Sequence, residues 1–176
     1  SLNHAHLSAQ IMKRHAPLHF LSGEEFSRID IAVRMHNAFL VPDELPPETD
    51  ALLKLLRDAD KLDIWRVFIE YFYAPESERA SAAGLGFPDL PGCSPEPLAA
   101  VAAGRMVPLS TLKSLNDFKL LQVSWVYDIN YLKALRLINE RGILDRFAAM
   151  LPDERPVRQV LAQVREHLER RLETQG

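Results

Sequence analysis

A single cysteine, Cys93, stands in a chain of 176 residues. One thiol excludes internal disulfides and paired-cysteine zinc sites, and its place in a Pro/Gly-rich stretch marks it as incidental. There is no run of about 18 apolar residues, so no membrane partner is expected. No charged-then-apolar leader opens the sequence, which makes a cytoplasmic location the default expectation. A basic excess is also missing. Lys and Arg number 21 against 24 Asp and Glu, a net charge of −3. General nucleic-acid binding requires a basic surface and is not expected. No internal repeat, Gly-rich phosphate loop or GxSxG motif occurs, and no segment reads as a convincing strand.

What remains is a helix-rich, core-forming composition, 47% hydrophobic and 26% charged. That is too apolar for a disordered chain. The length suits one domain, read here as a single all-α domain over residues 1–176. Helices fill 1–73, a loop spans 74–97, and further helices fill 98–176. Asn3 to His15 predicts a short helix with His4, Leu7, Ile11 and His15 on one face, ended or bent by Pro17. Ser22-Gly-Glu-Glu25 has capping-box spacing and opens a helix to about Leu40, with His36 inside its apolar arc. Pro47 suits the first turn of a long helix reaching Tyr73. Pro97 to Gly104 predicts a short helix, Ser110 to Asn139 a long helical region, and Val157 to Thr174 an amphipathic terminal helix. Gly142 and Pro152 mark breaks. The Pro/Gly-rich stretch from Pro75 to Pro97 could cover a site.

The long helix carries R-D-A-D-K-L-D at Arg57 to Asp63. At about 100° per residue, Asp60 and Asp63 fall within the apolar arc. Lys54, Arg57, Asp58 and Lys61 fall on the opposite, solvent side. A carboxylate facing a core must be compensated by a metal, a basic side chain or hydrogen-bond donors. His4, His36 and Asp60 project from apolar faces of three consecutive helices. Imidazole and carboxylate are ordinary ligands for Zn, Mn, Fe or Co, and bundles build metal sites from inward side chains of facing helices. The alternative treats each residue separately, with the histidines hydrogen-bonded and Asp60 paired to Arg34 or Arg66. Asp63 is expected in a supporting role. Asp128 would either hold a ligating histidine or tie down a core Arg. His6 and His167 read as surface residues, and Arg165, Arg170 and Arg171 as a solvated face.

Four stretches together resemble the HD-domain superfamily of metal-dependent phosphohydrolases. They are S-L-N-H-A-H-L-S-A-Q-I-M at Ser1 to Met12, I-A-V-R-M-H-N at Ile31 to Asn37, L-L-R-D-A-D-K-L-D-I-W-R-V at Leu55 to Val67, and S-W-V-Y-D-I-N at Ser124 to Asn130. The resemblance implies an all-α bundle of HD type. It further implies a divalent ion (Mn, Fe, Zn, Co or Mg) held by His4, His36 and Asp60, and a nucleotide or other small phosphate ester as substrate. Hydrolysis would use metal-activated water. Asp60 and Lys61 would serve the chemistry, Lys61 by reaching a phosphate, although its polar-arc position favours plain solvation. The chain departs from the family in one respect: it contains no His-Asp dipeptide. In relatives that motif precedes the segment matching Ser1 to Met12. A fragment or truncated form is therefore expected, or a degenerate protein that serves as a non-catalytic helical binding module.

Overall fold

A computed structural model describes residues 3–15, 18–75 and 86–174. Among these residues the secondary structure is entirely helical, with no strand. The order is α1 (His4–His15), α2 (Gly23–Met35), α3 (Pro47–Tyr73), α4 (Pro95–Ala102), a 3-10 turn (Leu109–Thr111), α5 (Leu115–Ser124), a second 3-10 turn (Trp125–Asp128), α6 (Leu132–Glu140), α7 (Ile143–Met150) and α8 (Arg155–Thr174). None of these helices is long and apolar enough to cross a membrane. The chain divides into two compact units, Ser1–Asp60 and Lys61–Gly176, and α3 contributes residues to both. Pro17 and much of the stretch between Pro75 and Pro97 lie outside the described residues.

In the first unit α1 packs on α2. The contact is made by small residues. Ala5 and Ala9 are fully buried and Ala32 nearly so, which lets two backbones approach closely. Leu7 and Ile11, expected inward, are exposed. The bulkier face of α1 therefore points outward, because alanine packing sets the interface. The capping box of α2 forms as its spacing predicts. Ser22 N donates to the Glu25 carboxylate at 2.8 Å, and Glu25 N donates to Ser22 Oγ at 3.2 Å. Asp30 joins the two helices by accepting from Arg34 Nε at 2.9 Å and pairing with Lys13 at 3.2 Å. The Arg34 hydrogen bond, above all, holds the Asp30 carboxyl below its ordinary pKa. α2 ends at Met35, short of the expected Leu40, and Phe39 and Leu40 lie beyond it and are exposed.

The face that α3 buries is the reverse of the one its hydrophobic pattern predicts. Thr49, Leu53, Arg57, Asp58, Lys61, Trp65 and Ile69 are buried, at i+4 and i+3 steps. Leu52, Leu55 and Val67 are exposed, Leu55 by 56%. Asp63 is likewise outside, 65% exposed at its side chain and paired with Arg66 at 2.8 Å. The helical wheel places Arg57, Asp58 and Lys61 on the solvent side. Here buried charges find partners, so hydrogen bonding overrides hydrophobic periodicity.

The second unit holds the hydrophobic core. Trp65, Val101, Leu120, Val123, Val126, Leu135, Ile138, Phe147, Val157 and Val164 lie at its centre. α5 is buried on every side from Asn116 to Ser124, and α8 packs across α4, α5, α6 and α7. Val157, Val160, Leu161, Val164 and Leu168 point inward, as the terminal pattern predicts. The long region expected from Ser110 to Asn139 is broken. Ser124 Oγ donates to Leu121 O at 2.6 Å and accepts from Val107 N at 2.9 Å. Such back-bonding draws the chain out of α geometry. A 3-10 turn follows, and Ile129 and Tyr131 are extended. Gly142, at φ 58°, makes the left-handed corner between α6 and α7.

Polar side chains lock this core. Asp117 is fully buried. It accepts from Ser94 N (2.7 Å), Ser94 Oγ (2.7 Å) and Lys113 N (2.9 Å). Asn116 Nδ2 donates to the carbonyls of Leu90 and Gly92, and Lys119 Nζ donates to Met150 O. Burial, reinforced by the Asp117 and Glu154 carboxylates, pushes the Cys93 thiol up to about 12. It is therefore not a thiolate near neutrality. His167, expected at the surface, has a buried Nε2 with no hydrogen-bond partner among the described residues. Its ring meets Tyr127 edge-on at 4.9 Å. Burial first, then the Arg171 and Arg170 guanidiniums, lower its pKa.

Two outcomes are expected. Asp117→Ala removes three acceptor contacts of a buried carboxylate and should cost roughly 3 kcal/mol or more in denaturant unfolding. Asp63→Ala, at the surface, should cost less than about 1 kcal/mol. An equal effect of the two substitutions would refute the clamp role of Asp117. For His167, the folded pKa lies below the ordinary 6.5. Below that pH the unfolded chain gains a proton that the folded chain refuses, so stability falls until the folded pKa is passed. Unfolding midpoints measured across this window should flatten in His167→Gln. An unchanged acid slope would show that His167 is not its source.

Candidate metal site

The site begins with the end of α2. Its last carbonyls carry the negative end of the helix dipole. Arg57 Nη1 of α3 donates to His36 O at 3.1 Å and Ala38 O at 2.6 Å. Arg57 is only 4% exposed, so these carbonyls stand in for the water it lost. His36 is the C-cap residue of α2. Asp60 lies three residues after Arg57 on α3, so the same helix holds the turn and presents the carboxylate.

His36 Nε2 lies 3.0 Å from His4 Nε2 and 3.9 Å from Asp60 Oδ1. One ligand atom from each of the three residues falls within 4.8 Å of the others. The His36 side chain is 9% exposed and Asp60 30%, while His4 is exposed. His36 Nδ1 is 2.7 Å from Val33 O. A carbonyl can only accept, so Nδ1 carries the proton and Nε2 keeps its lone pair toward His4 and Asp60. His4 is steadied from the other side. Asn37 Nδ2 donates to Asn3 Oδ1 at 2.9 Å and lies 3.5 Å from His4 Nδ1. Asn3 Oδ1 also accepts from Ala5 N at 3.0 Å, capping α1.

The donor set suits a divalent ion. Bonds of about 2.0–2.1 Å allow two ligand atoms to stand at most about twice that distance apart, which accommodates both separations at His36; the trio as a whole lies only within 4.8 Å, so His4 and Asp60 would have to draw together to share an ion. Two neutral imidazoles and one carboxylate favour Zn, Mn, Fe or Co over Mg. Three protein ligands would leave coordination positions open, as catalytic sites require.

Lys61 and Asp128 belong to a different arrangement. Lys61, expected in solvent, is 7% exposed, and its ammonium sits 2.6 Å from Asp128 Oδ2. Asp128 therefore holds a lysine rather than the Arg or His expected for it. Asp58, also expected in solvent, is 2% exposed. Neither arginine considered for Asp60 reaches it: Arg34 binds Asp30, and Arg66 binds Asp63 and Glu70. His6, His15 and His19 are exposed. The sequence reading overlooked Asn3, Asn37 and Arg57 as supports. Asn3 stands at an N-cap position and Asn37 directly follows His36, so both had a local signal. Arg57 had none, because a charge in a helix reads as solvated.

No known protein family, curated protein or solved structure matches this chain.

Proposed function

We propose that His4, His36 and Asp60 bind a divalent ion, and that the chain acts as a metal-dependent phosphohydrolase of HD type on a small phosphate ester or nucleotide. The convergence of two imidazole Nε2 atoms and one carboxylate at the end of α2 carries this reading. The HD-like stretches that contain these three residues support it. A bound ion would polarise a phosphate oxygen and lower the pKa of a coordinated water. The protein's part is to hold the ligands. Val33 O fixes the His36 tautomer, Arg57 fixes the turn, and Asp60 supplies negative charge. Lys61 has no assigned step, since Asp128 engages its ammonium and it belongs to the second unit.

A second reading rests on the 3.0 Å Nε2···Nε2 separation. That is also a hydrogen-bond length, so the two histidines can close on each other in a non-catalytic helical binding module.

Elemental analysis of protein purified without chelator, followed by assays on generic phosphate esters with added Mn, separates the two. The proposal expects about one ion per chain and metal-dependent hydrolysis. His36→Ala and Asp60→Ala should each lower metal affinity by roughly a hundredfold or more, the upper end of what even indirect ligand supports cost. Metal retention without turnover would favour a metal-holding binding module. Absence of both metal and turnover would overturn the proposal.

A further inference from the structure

The corner between α6 and α7 forms one wall of a cavity of about 290 Å³ in the second unit. Leu62, Arg66, Ile69 and Glu70 of α3 line it with Arg141, Ile143 and Arg146. Its charges are unequally satisfied. Arg66 is neutralised by Asp63 at 2.8 Å and Glu70 at 3.1 Å. Asp145, the acid nearest in sequence to Arg146, is taken by Arg165 at 2.8 Å. Arg141 and Arg146 have no side-chain hydrogen bond or ion pair among the described residues. Two unpaired guanidiniums thus line a cup that also contains Leu62, Ile69 and Ile143.

The Gly142 corner sets this geometry. Its left-handed turn places Arg141 at the end of α6 and Ile143 at the start of α7. Arg146 follows one turn into α7, with its N–H bonded to Gly142 O at 3.1 Å. Guanidinium presents a planar fork that matches phosphate and carboxylate oxygens. Two such forks beside aliphatic side chains match a ligand with a charged head and an apolar body. The volume lies at the small end of ligand pockets, which excludes a large occupant.

We propose that this cup binds a small amphiphilic anion, an organic phosphate or carboxylate. Its head lies between Arg141 and Arg146, and its apolar body rests on Leu62, Ile69 and Ile143. The cup shares no residue with His4, His36 and Asp60, so this inference and the metal reading fail separately.

Phenyl phosphate, benzoate and inorganic phosphate are the probes, titrated into the full chain and followed by calorimetry and amide NMR shifts. Phenyl phosphate should bind about tenfold or more tightly than inorganic phosphate, because burying part of a ring adds over 1.4 kcal/mol. Benzoate should perturb the same amides. The Arg141→Gln/Arg146→Gln double variant should weaken phenyl phosphate by at least about tenfold, with far-UV circular dichroism and unfolding midpoint unchanged. Arg136→Gln, elsewhere on α6, should not. Equal affinity for phenyl and inorganic phosphate, or binding indifferent to the double variant, would overturn the proposal. So would an acidic hexapeptide that binds more tightly than phenyl phosphate. If the double variant misfolds, the shifts in the unaltered chain decide: perturbation must centre on residues 141–146, and perturbation elsewhere contradicts the site.

Discussion

The hydrogen bonds from Arg57 to the carbonyls of His36 and Ala38 are the contact on which the candidate site depends. A guanidinium cannot be buried without acceptors, and the end of α2 offers carbonyls that its own helix leaves unmatched. One interaction thus satisfies both ends. It also ties the His36 turn to α3 close to Asp60. The position of the carboxylate relative to the imidazole follows from helix geometry, because Arg57 and Asp60 are less than one turn apart.

The second unit solves a similar problem with a different device. Asp117, Asn116 and Lys119 all lie on the buried helix α5, and each bonds to backbone groups of loops or helix ends, Asp117 also to the Ser94 hydroxyl. Lys61 and Asp128 pair directly. These contacts bind irregular segments to a regular core, whereas the apolar side chains fill it. Ser124 belongs to the same design, since its hydroxyl ends α5 and so sets the position of Asp128.

Local signals in the sequence were legible, and faces set by tertiary contact were not. The Ser22 capping box, the Gly142 corner and the inward residues of α8 follow from local chemistry, and the structure has each of them. His4, His36 and Asp60 do come together, although periodicity gave only partial reasons. For α1 the bulky residues suggested the buried face, but Ala5 and Ala9 make the contact because close approach favours small side chains. For α3 the pattern of leucines indicated one face and the structure buries another. Arg57 and Lys61 are tolerable inside only because partners arrive from distant parts of the chain, and no window of sequence contains both members. The break after Ser124 depended on Val107, seventeen residues away.

We propose that the Nε2 atoms of His4 and His36 share a divalent ion beside Asp60. Long-range proton–nitrogen correlation spectroscopy of the imidazole rings, recorded with and without one equivalent of Zn²⁺, reads this directly. The Nε2 resonances of His4 and His36 should move together to metal-ligated positions while His36 Nδ1 stays protonated against Val33 O. Unchanged Nε2 resonances at both, or shifts confined to His6, His15 and His19, would contradict it.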